Sequence, residues 1–126
     1  MTNTRSVVCV VDDDESVRES LPDLLRQVGF VASAFSSAEG FLASDLVDQT
    51  CCLLLDIAMP GMSGPELQRE LLSRRQPIPI IFITASIDTA MHSRLLAAGA
   101  VDCLLKPFSE AALLAALHAA LQRVQP

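Results

Sequence analysis

Hydrophobic residues fall into short continuous runs that alternate with segments in which they recur every three or four positions. The runs predict five strands, at residues 7–11, 31–35, 52–55, 78–83 and 101–105. The periodic segments predict five amphipathic helices, whose apolar stripes begin at Val17, Phe41, Leu67, Met91 and Leu113. Strict alternation of strands and helices is typical of a parallel sheet joined by right-handed crossovers. The pattern therefore predicts a three-layer α/β/α sandwich with helices on both faces of the sheet.

The composition of the strands predicts their order. The runs at 7–11, 52–55 and 78–83 are apolar, as central strands buried on both faces are. The runs at 31–35 and 101–105 contain polar residues, which suits strands at the edges. Both conditions are met by the order 2-1-3-4-5 of the flavodoxin-like doubly wound fold.

Residues between these elements mark where helices begin and end. Gly29 and Gly99 follow helical segments, where glycine commonly adopts the left-handed conformation that ends a helix. Pro22 falls inside the first helix and should kink it, because proline removes a backbone hydrogen bond. Side chains that can cap helix starts are expected at Ser37, Asp88 and Ser109.

Length and charge narrow the class of protein. The 126 residues suffice for one domain, which we expect to span residues 1–126. Lys and Arg total 9 against 15 Asp and Glu, and the net charge of −6 argues against direct binding of nucleic acid or an anionic membrane. The hydrophobic share of 51% excludes a disordered chain. Because the sequence shows neither a long apolar span nor a signal segment, we expect a cytoplasmic location.

The cysteines do not form a metal or redox motif. They are Cys9, Cys51, Cys52 and Cys103. No C-x-x-C spacing occurs, and His92 and His118 lie far from every cysteine pair. We interpret the cysteines as free thiols, mostly buried in strands, and the two histidines as surface residues.

Polar groups follow four of the five predicted strands. Asp12 and Asp13 follow the first strand, Asp56 the third, Thr84 the fourth and Lys106 the fifth. In open α/β sheets, the functional site lies at the carboxyl ends of the strands. Because strands 1 and 3 are neighbours in the predicted order, the three aspartates should converge, and their repulsion makes a divalent cation such as Mg²⁺ or Mn²⁺ the expected companion.

These groups together predict phosphoryl-transfer chemistry. Lys106 can pair with Asp56 or with a phosphoryl oxygen, and Thr84 offers a hydroxyl donor. The cation and the lysine would neutralise charge on the phosphoryl group, while the carboxylate of Asp56 serves as the nucleophile. Asp14 and Glu15 have a simpler interpretation, as residues that cap the first helix.

Four segments together resemble the receiver domain of two-component response regulators. They are VVDDD (10–14), LLLDIAMPGMSG (53–64), ITAS (83–86) and GAVDCLLKPF (99–108). The resemblance extends over nearly the whole chain and is closest to the FixJ/NarL-like group. It implies that Asp56 accepts a phosphoryl group from a sensor histidine kinase. Such a protein catalyses only its own phosphorylation and dephosphorylation.

The resemblance also implies a role for each residue around Asp56. Mg²⁺ would be held by Asp12, Asp13, Asp56 and the backbone carbonyl of Ala58. The roles at the phosphoryl group fall to three residues: Lys106 contacts it, Thr84 moves toward it, and the small Ala85 leaves its path open. The bond between Lys106 and Pro107 is expected to be cis.

Two positions depart from the family pattern. Cys103 stands where receivers usually carry the aromatic side chain that follows the threonine during signalling. Ile87 stands where the most similar relatives tend to have glycine. We therefore expect the switch between inactive and active surfaces to use other residues in this chain. We also expect phosphorylation to be coupled more weakly to that change of surface.

The resemblance implies partners as well. Phosphorylation would promote a homodimer through helix 4, strand 5 and helix 5, whose alanines at 111, 115, 116 and 119 are expected on an apolar outer face. DNA binding would belong to an output domain beyond this sequence. A stand-alone receiver acting through protein contacts is the alternative. A haloacid-dehalogenase-like phosphatase is disfavoured, because its D-x-D motif, matched by residues 12–14, requires Thr or Val where Ser16 stands.

Overall fold

The computed structural model describes residues 5–86 and 88–123, and the side chains up to residue 122. Ile87 lies outside the described residues. Five strands and five α-helices alternate, with one 3-10 turn before the third strand. The elements are β1 Val7–Val11, α1 Glu15–Gln27, β2 Val31–Phe35, α2 Ala38–Leu42, the 3-10 turn Val47–Gln49, β3 Thr50–Asp56, α3 Gly64–Ser73, β4 Ile80–Thr84, α4 Thr89–Ala97, β5 Asp102–Leu105 and α5 Glu110–Arg123.

The strands form one parallel sheet in the order β2-β1-β3-β4-β5, which confirms the predicted fold class and strand order. Strands β1, β3 and β4 are buried along their whole length, whereas β2 and β5 are partly exposed. The predicted start of β4 was wrong by two residues. The strand begins at Ile80 because Pro79, which has no N–H, cannot donate a hydrogen bond to the neighbouring strand.

Two hydrophobic clusters fill the space on either side of the sheet. One joins Cys9 and Val11 of β1 to residues of α2, α3 and α4, and the other joins Val8 and Val10 to residues of α1 and α5. The alternation of faces along β1 is that of a strand covered on both sides. No helix within residues 5–86 and 88–123 is long and apolar enough to cross a membrane.

One irregularity interrupts the pairing of β1 with β3. Val7 pairs with Thr50 but Val8 pairs with Cys52, so Cys51 is an extra residue in β3. Beyond this bulge the pairing is regular as far as Val11 and Leu55. The bulge places both Cys51 and Cys52 in the cluster beneath α1 and α5.

The helix boundaries follow the predicted signals. Gly29 and Gly99 adopt φ values of +102° and +110° after α1 and α4. Helix α1 continues through Pro22, whose ring is buried. The expected helix-capping hydrogen bonds are made by the side chains of Ser37, Asp88 and Ser109.

Helix α5 differs from expectation on one point. Its exposed face carries Ala111, Ala115, His118 and Ala119. Ala116 was expected on this face but is buried against the sheet, with a relative exposure of 3%. Ten of the fourteen residues of α5 are alanine or leucine, which gives little periodic contrast, so its sequence does not define its orientation well.

The four cysteines are free thiols, as predicted. Three of them are buried and Cys103 is half-buried. Burial raises the pKa of the Cys9 thiol to about 11 and raises that of Cys52 further. Thiols that stay protonated at neutral pH are poor nucleophiles and metal ligands, which agrees with a packing role.

Candidate functional site

Three carboxylates meet at the carboxyl edge of the sheet. Asp12 follows the last residue of β1, and Asp56 is the last residue of the neighbouring β3. Oxygen atoms of Asp12, Asp13 and Asp56 lie within 4.8 Å of one another. Asp12 is completely buried and Asp56 is 7% exposed, while Asp13 faces solvent. The cluster is thus anchored in the core and open to water on one side.

Asp12 is held by contacts with three other residues. Its Oδ1 accepts a hydrogen bond from the backbone N–H of Asp14 at 2.9 Å, and its Oδ2 accepts one from Lys106 Nζ at 2.7 Å. Its backbone carbonyl accepts a hydrogen bond from Arg18 at 3.1 Å. Hydrogen bonds to both carboxylate oxygens and to the backbone carbonyl therefore fix the position of Asp12.

Lys106 makes its hydrogen-bonded ion pair with Asp12, whereas the sequence led us to consider Asp56 or a phosphoryl oxygen. Burial by itself lowers the pKa of Lys106, but the hydrogen bond and the negative charge of Asp12 raise it overall, with further contributions from Asp56 and Asp14. The physical reason for the choice of partner is burial. Asp12 is shielded from water and depends on the ammonium group more than the partly accessible Asp56 does.

Burial and repulsion within the cluster both act on the ionisation of Asp56. Burial, followed by the negative charge of Asp12, raises the pKa of Asp56 from 3.8 to about 7, although Lys106 opposes the change. A carboxyl group that is difficult to ionise in this setting would be stabilised by a further cation. The oxygen-only donor set suits Mg²⁺ or Mn²⁺ rather than a metal that prefers nitrogen or sulfur ligands.

The neighbouring acid Asp14 has the structural role that was predicted for it. Its side chain caps α1 by accepting hydrogen bonds from the N–H and the hydroxyl of Ser16. These bonds lower the pKa of Asp14. Asp14 therefore serves the start of the helix and lies outside the three-carboxylate cluster.

The loop at 57–63, between β3 and α3, is closed tightly behind Asp56. The N–H of Gly64 donates to the carbonyl of Ile57 at 2.9 Å. A Cβ atom at Gly64 would collide with the backbone carbonyl of Asp56. Ala58, the predicted carbonyl ligand, lies exposed in this loop two residues after Asp56. Gly64 ends the motif at residues 53–64, but the sequence alone does not reveal that this close approach requires glycine.

Thr84 is buried at the end of β4, with its hydroxyl engaged by the following loop. Its Oγ1 donates to the carbonyl of Ser86 at 2.9 Å and accepts from the N–H of Ser86 at 3.3 Å. Ala85 is exposed beside it. The Lys106–Pro107 bond is cis, as expected.

Cys103 lies at the other end of the predicted switch. It is half-buried on β5 and pairs with Phe82 on β4. Phe82 is completely buried in the cluster beneath α2, α3 and α4, and Cys103 packs against the same cluster. An aromatic ring thus occupies the neighbouring strand position, a pairing that could not be predicted from the sequence motifs.

The fold and the carboxylate cluster define a class of protein, and comparison with known families gives the same class. Residues 8–118 match the response regulator receiver domain family. The chain belongs to this family, whose members are signalling proteins of two-component systems. The resemblance predicted from the sequence motifs is confirmed.

The more specific similarity is to FixJ-like regulators. The chain is 47% identical over 121 residues to Nodulation protein W of Bradyrhizobium diazoefficiens, covering 96% of this chain and 53% of the relative. It is 45% identical over 123 residues to the response regulator TodT of Pseudomonas putida, covering 97% and 54%. The chain thus spans about half the length of these relatives.

Solved structures agree with the sequence relatives. The response regulator StyR superposes with a TM-score of 0.87 at 49% identity, covering 95% of this chain and 61% of that one. The structure of FixJ-N superposes with a TM-score of 0.84 at 37% identity, covering 100% and 99%.

Proposed function

We propose that this chain is a phosphoacceptor domain in which Asp56 takes a phosphoryl group from a phosphorylated histidine of its sensor kinase. The observation that carries the proposal is the meeting of three carboxylates within 4.8 Å at the carboxyl edge of the sheet, with Lys106 on the innermost one. Family membership supports the same function. The working location is the cytoplasm, where the kinase presents its phosphohistidine.

The chemistry follows from the positions of these side chains. A carboxylate oxygen of Asp56 attacks phosphorus and forms a P–O bond, while the P–N bond to the donor histidine breaks and its electron pair returns to the imidazole. Lys106, already next to the cluster, offers an ammonium group to the phosphoryl oxygens. Mg²⁺, held by Asp12, Asp13, Asp56 and the Ala58 carbonyl, would neutralise negative charge during the transfer.

Output would begin at Thr84. Its hydroxyl is bonded to Ser86, so donation to the phosphoryl group requires that this bond break and that the loop after β4 rearrange. Ala85, next to Thr84, is small enough to leave the approach to Asp56 open. The surface formed by α4, β5 and α5 would respond and promote a homodimer. Exposed Leu96 and Leu105, with relative exposures of 39% and 53%, supply apolar area there.

We further propose that the receiver controls transcription through a DNA-binding output domain elsewhere in the full protein. The receiver itself does not bind nucleic acid. Two observations support this: the relatives are about twice as long, and two of the matched proteins are named as transcriptional regulators, TdiR and FixJ. A receiver that acts alone through protein contacts remains the alternative. The length of the full open reading frame distinguishes the two.

The phosphoacceptor is tested by intact-mass analysis after incubation with acetyl phosphate and Mg²⁺. The parent protein should gain one phosphoryl group, and Asp56→Asn should gain none. Asp45→Asn, which changes an exposed aspartate in the loop after α2, is the matched control and should behave as the parent. A phosphorylated fraction that Asp56→Asn leaves unchanged would refute the assignment.

A further inference from the structure

An exposed acid at the start of α2 contacts the loop that follows Asp56. The Oε2 atom of Glu39 accepts a hydrogen bond from the backbone N–H of Met62 at 2.9 Å, across 23 positions of sequence. Glu39 belongs to the first turn of α2, which follows the edge strand β2. The bond therefore joins two connections at the carboxyl edge of the sheet.

Gly61 shows how closely the two segments fit. It adopts a φ of +76°, and a Cβ atom there would lie 2.7 Å from Glu39 Oε2. The backbone at Gly61 thus passes beside the carboxylate of the exposed Glu39 side chain. The positive φ is the feature that favours glycine at this position.

Other contacts anchor the loop as well. Met59 is buried in the hydrophobic cluster beneath α2, α3 and α4, and Met62 packs against that cluster. Gly64 closes the loop onto Ile57, and Ser63 caps the start of α3, with its N–H donating to Glu66 at 2.8 Å. Ala58 lies near the start of the loop, between Asp56 and the Glu39 contact. Burial of Met59 thus fixes the residue next to Ala58, and the bond from Glu39 to Met62 holds the far end of the same segment.

We propose that Glu39 is a positioning residue for phosphoryl transfer, because its carboxylate fixes the loop that carries the Ala58 carbonyl. This inference rests on the proposed function of Asp56. Glu39 acts by placing a hydrogen-bond acceptor within reach of the Met62 N–H, and its negative charge is secondary. Outer residues that orient metal ligands commonly affect metal affinity by about tenfold or more.

Two variants distinguish the effect of the length of the Glu39 side chain from the effect of its charge. Glu39→Gln keeps an oxygen acceptor at the same distance and removes the charge. Glu39→Asp keeps the charge but is one methylene shorter, so it cannot reach Met62 without moving the backbone. Glu19→Asp and Glu19→Gln, on the exposed face of α1, are matched controls.

Three measurements apply to each variant: hydrogen exchange of the Met62 amide in the metal-free protein, the Kd for Mg²⁺ by calorimetry, and the phosphorylation rate with acetyl phosphate. In Glu39→Asp we expect the Met62 amide to exchange about tenfold faster, and Mg²⁺ binding and phosphorylation to weaken by about three- to tenfold. Glu39→Gln should stay within about twofold of the parent, as should both Glu19 variants.

The proposal is overturned if Glu39→Asp matches the parent in amide exchange and Mg²⁺ binding, or if Glu39→Gln is impaired as strongly as Glu39→Asp. If Glu39→Asp does not fold, Glu39→Ala takes its place, because it removes the acceptor, and unchanged Met62 exchange and Mg²⁺ binding in that variant would overturn the proposal. A parent protein that takes no phosphoryl group contradicts the proposed function instead, while the Met62 exchange and Mg²⁺ measurements still test the role of Glu39.

Discussion

The ammonium nitrogen of Lys106 lies 2.7 Å from Oδ2 of Asp12, although the two residues are 94 positions apart and follow strands β5 and β1, which β3 and β4 separate. The pair connects an edge of the sheet to its centre. Because Asp12 is completely buried, the lysine is the cation that offsets its charge. Lys106 therefore contributes to stability as well as to the proposed chemistry.

Lys106→Ala should destabilise the metal-free protein, since it leaves Asp12 buried and without its cationic partner. Breaking a buried pair in this way typically costs about 3–5 kcal/mol, and roughly 1–3 kcal/mol is expected here because the lysine is partly exposed. Urea denaturation measures the difference. Added Mg²⁺ should restore part of the loss, and Lys106→Arg should retain most of the stability. Equal unfolding free energies for Lys106→Ala and the parent would show that the pair is not stabilising.

Asp13 is the exposed member of the carboxylate cluster, so its removal should affect metal binding more than folding. The melting temperature of the parent should rise with Mg²⁺ concentration, because ligand binding stabilises the folded state. Asp13→Ala should abolish most of this rise. Asp23→Ala, an exposed aspartate in α1, serves as the control. A response of Asp13→Ala equal to that of the parent means that the assigned ligand set is incorrect.

The stability of the metal-free protein should depend on the ionisation of Asp56. Its pKa is raised from 3.8 to about 7 in the folded state, so the folded protein retains a proton that the unfolded chain has lost. The free energy of unfolding should therefore fall as pH rises from about 4 to about 7, and this contribution should be constant above that range.

Asp56→Asn removes this contribution. At pH 8 without Mg²⁺, the variant should melt at a higher temperature than the parent, by about 5 °C for each kcal/mol that burial and repulsion of the ionised carboxylate cost the parent. Below pH 4 the two proteins should differ much less. Thermal melts at both pH values check this, and a difference that does not change with pH would refute the raised pKa.

Cys103 should limit the coupling between phosphorylation and the dimer surface. Cysteine has a short side chain and a small volume, so a change in its rotamer moves little of the surrounding structure. Beryllofluoride, a phosphoryl mimic, should shift the dimer Kd of the parent by less than the roughly 1–3 kcal/mol typical of allosteric coupling. Cys103→Phe should show a larger shift, which sedimentation or light scattering can measure. A large shift in the parent that Cys103→Phe leaves unchanged would exclude this position as the determinant.

The sheet and the carboxylate cluster could be predicted because each depends on local composition. Uniformly apolar strands had to be central, and the residues after two adjacent strands had to meet. The partner of Lys106 could not be predicted, since it depends on how deeply each of the three clustered aspartates is buried. Asp12 and Asp13 are chemically identical in sequence, yet one lies in the core and the other in solvent.

The hydrogen bond between Glu39 and Met62 could not be predicted from the sequence for a different reason. It joins two connections whose backbone conformations are not encoded in any hydrophobic period. The burial of Ala116 was missed because alanine occupies either face of a helix without a clear preference. Sequence patterns thus predict which elements meet, and they predict side-chain partners poorly where several residues of one type compete.

The extra residue at Cys51 has a consequence for how this fold tolerates changes in chain length. The irregular pairing lies at the start of β3, whereas Val8 to Val11 and Cys52 to Leu55 are paired without interruption, as far as the residues directly before Asp12 and Asp56. A deletion or insertion near Thr50 would be absorbed at the bulge and would leave this paired block intact. A change of one residue at this bulge should therefore leave the separation of Asp12 and Asp56 unchanged.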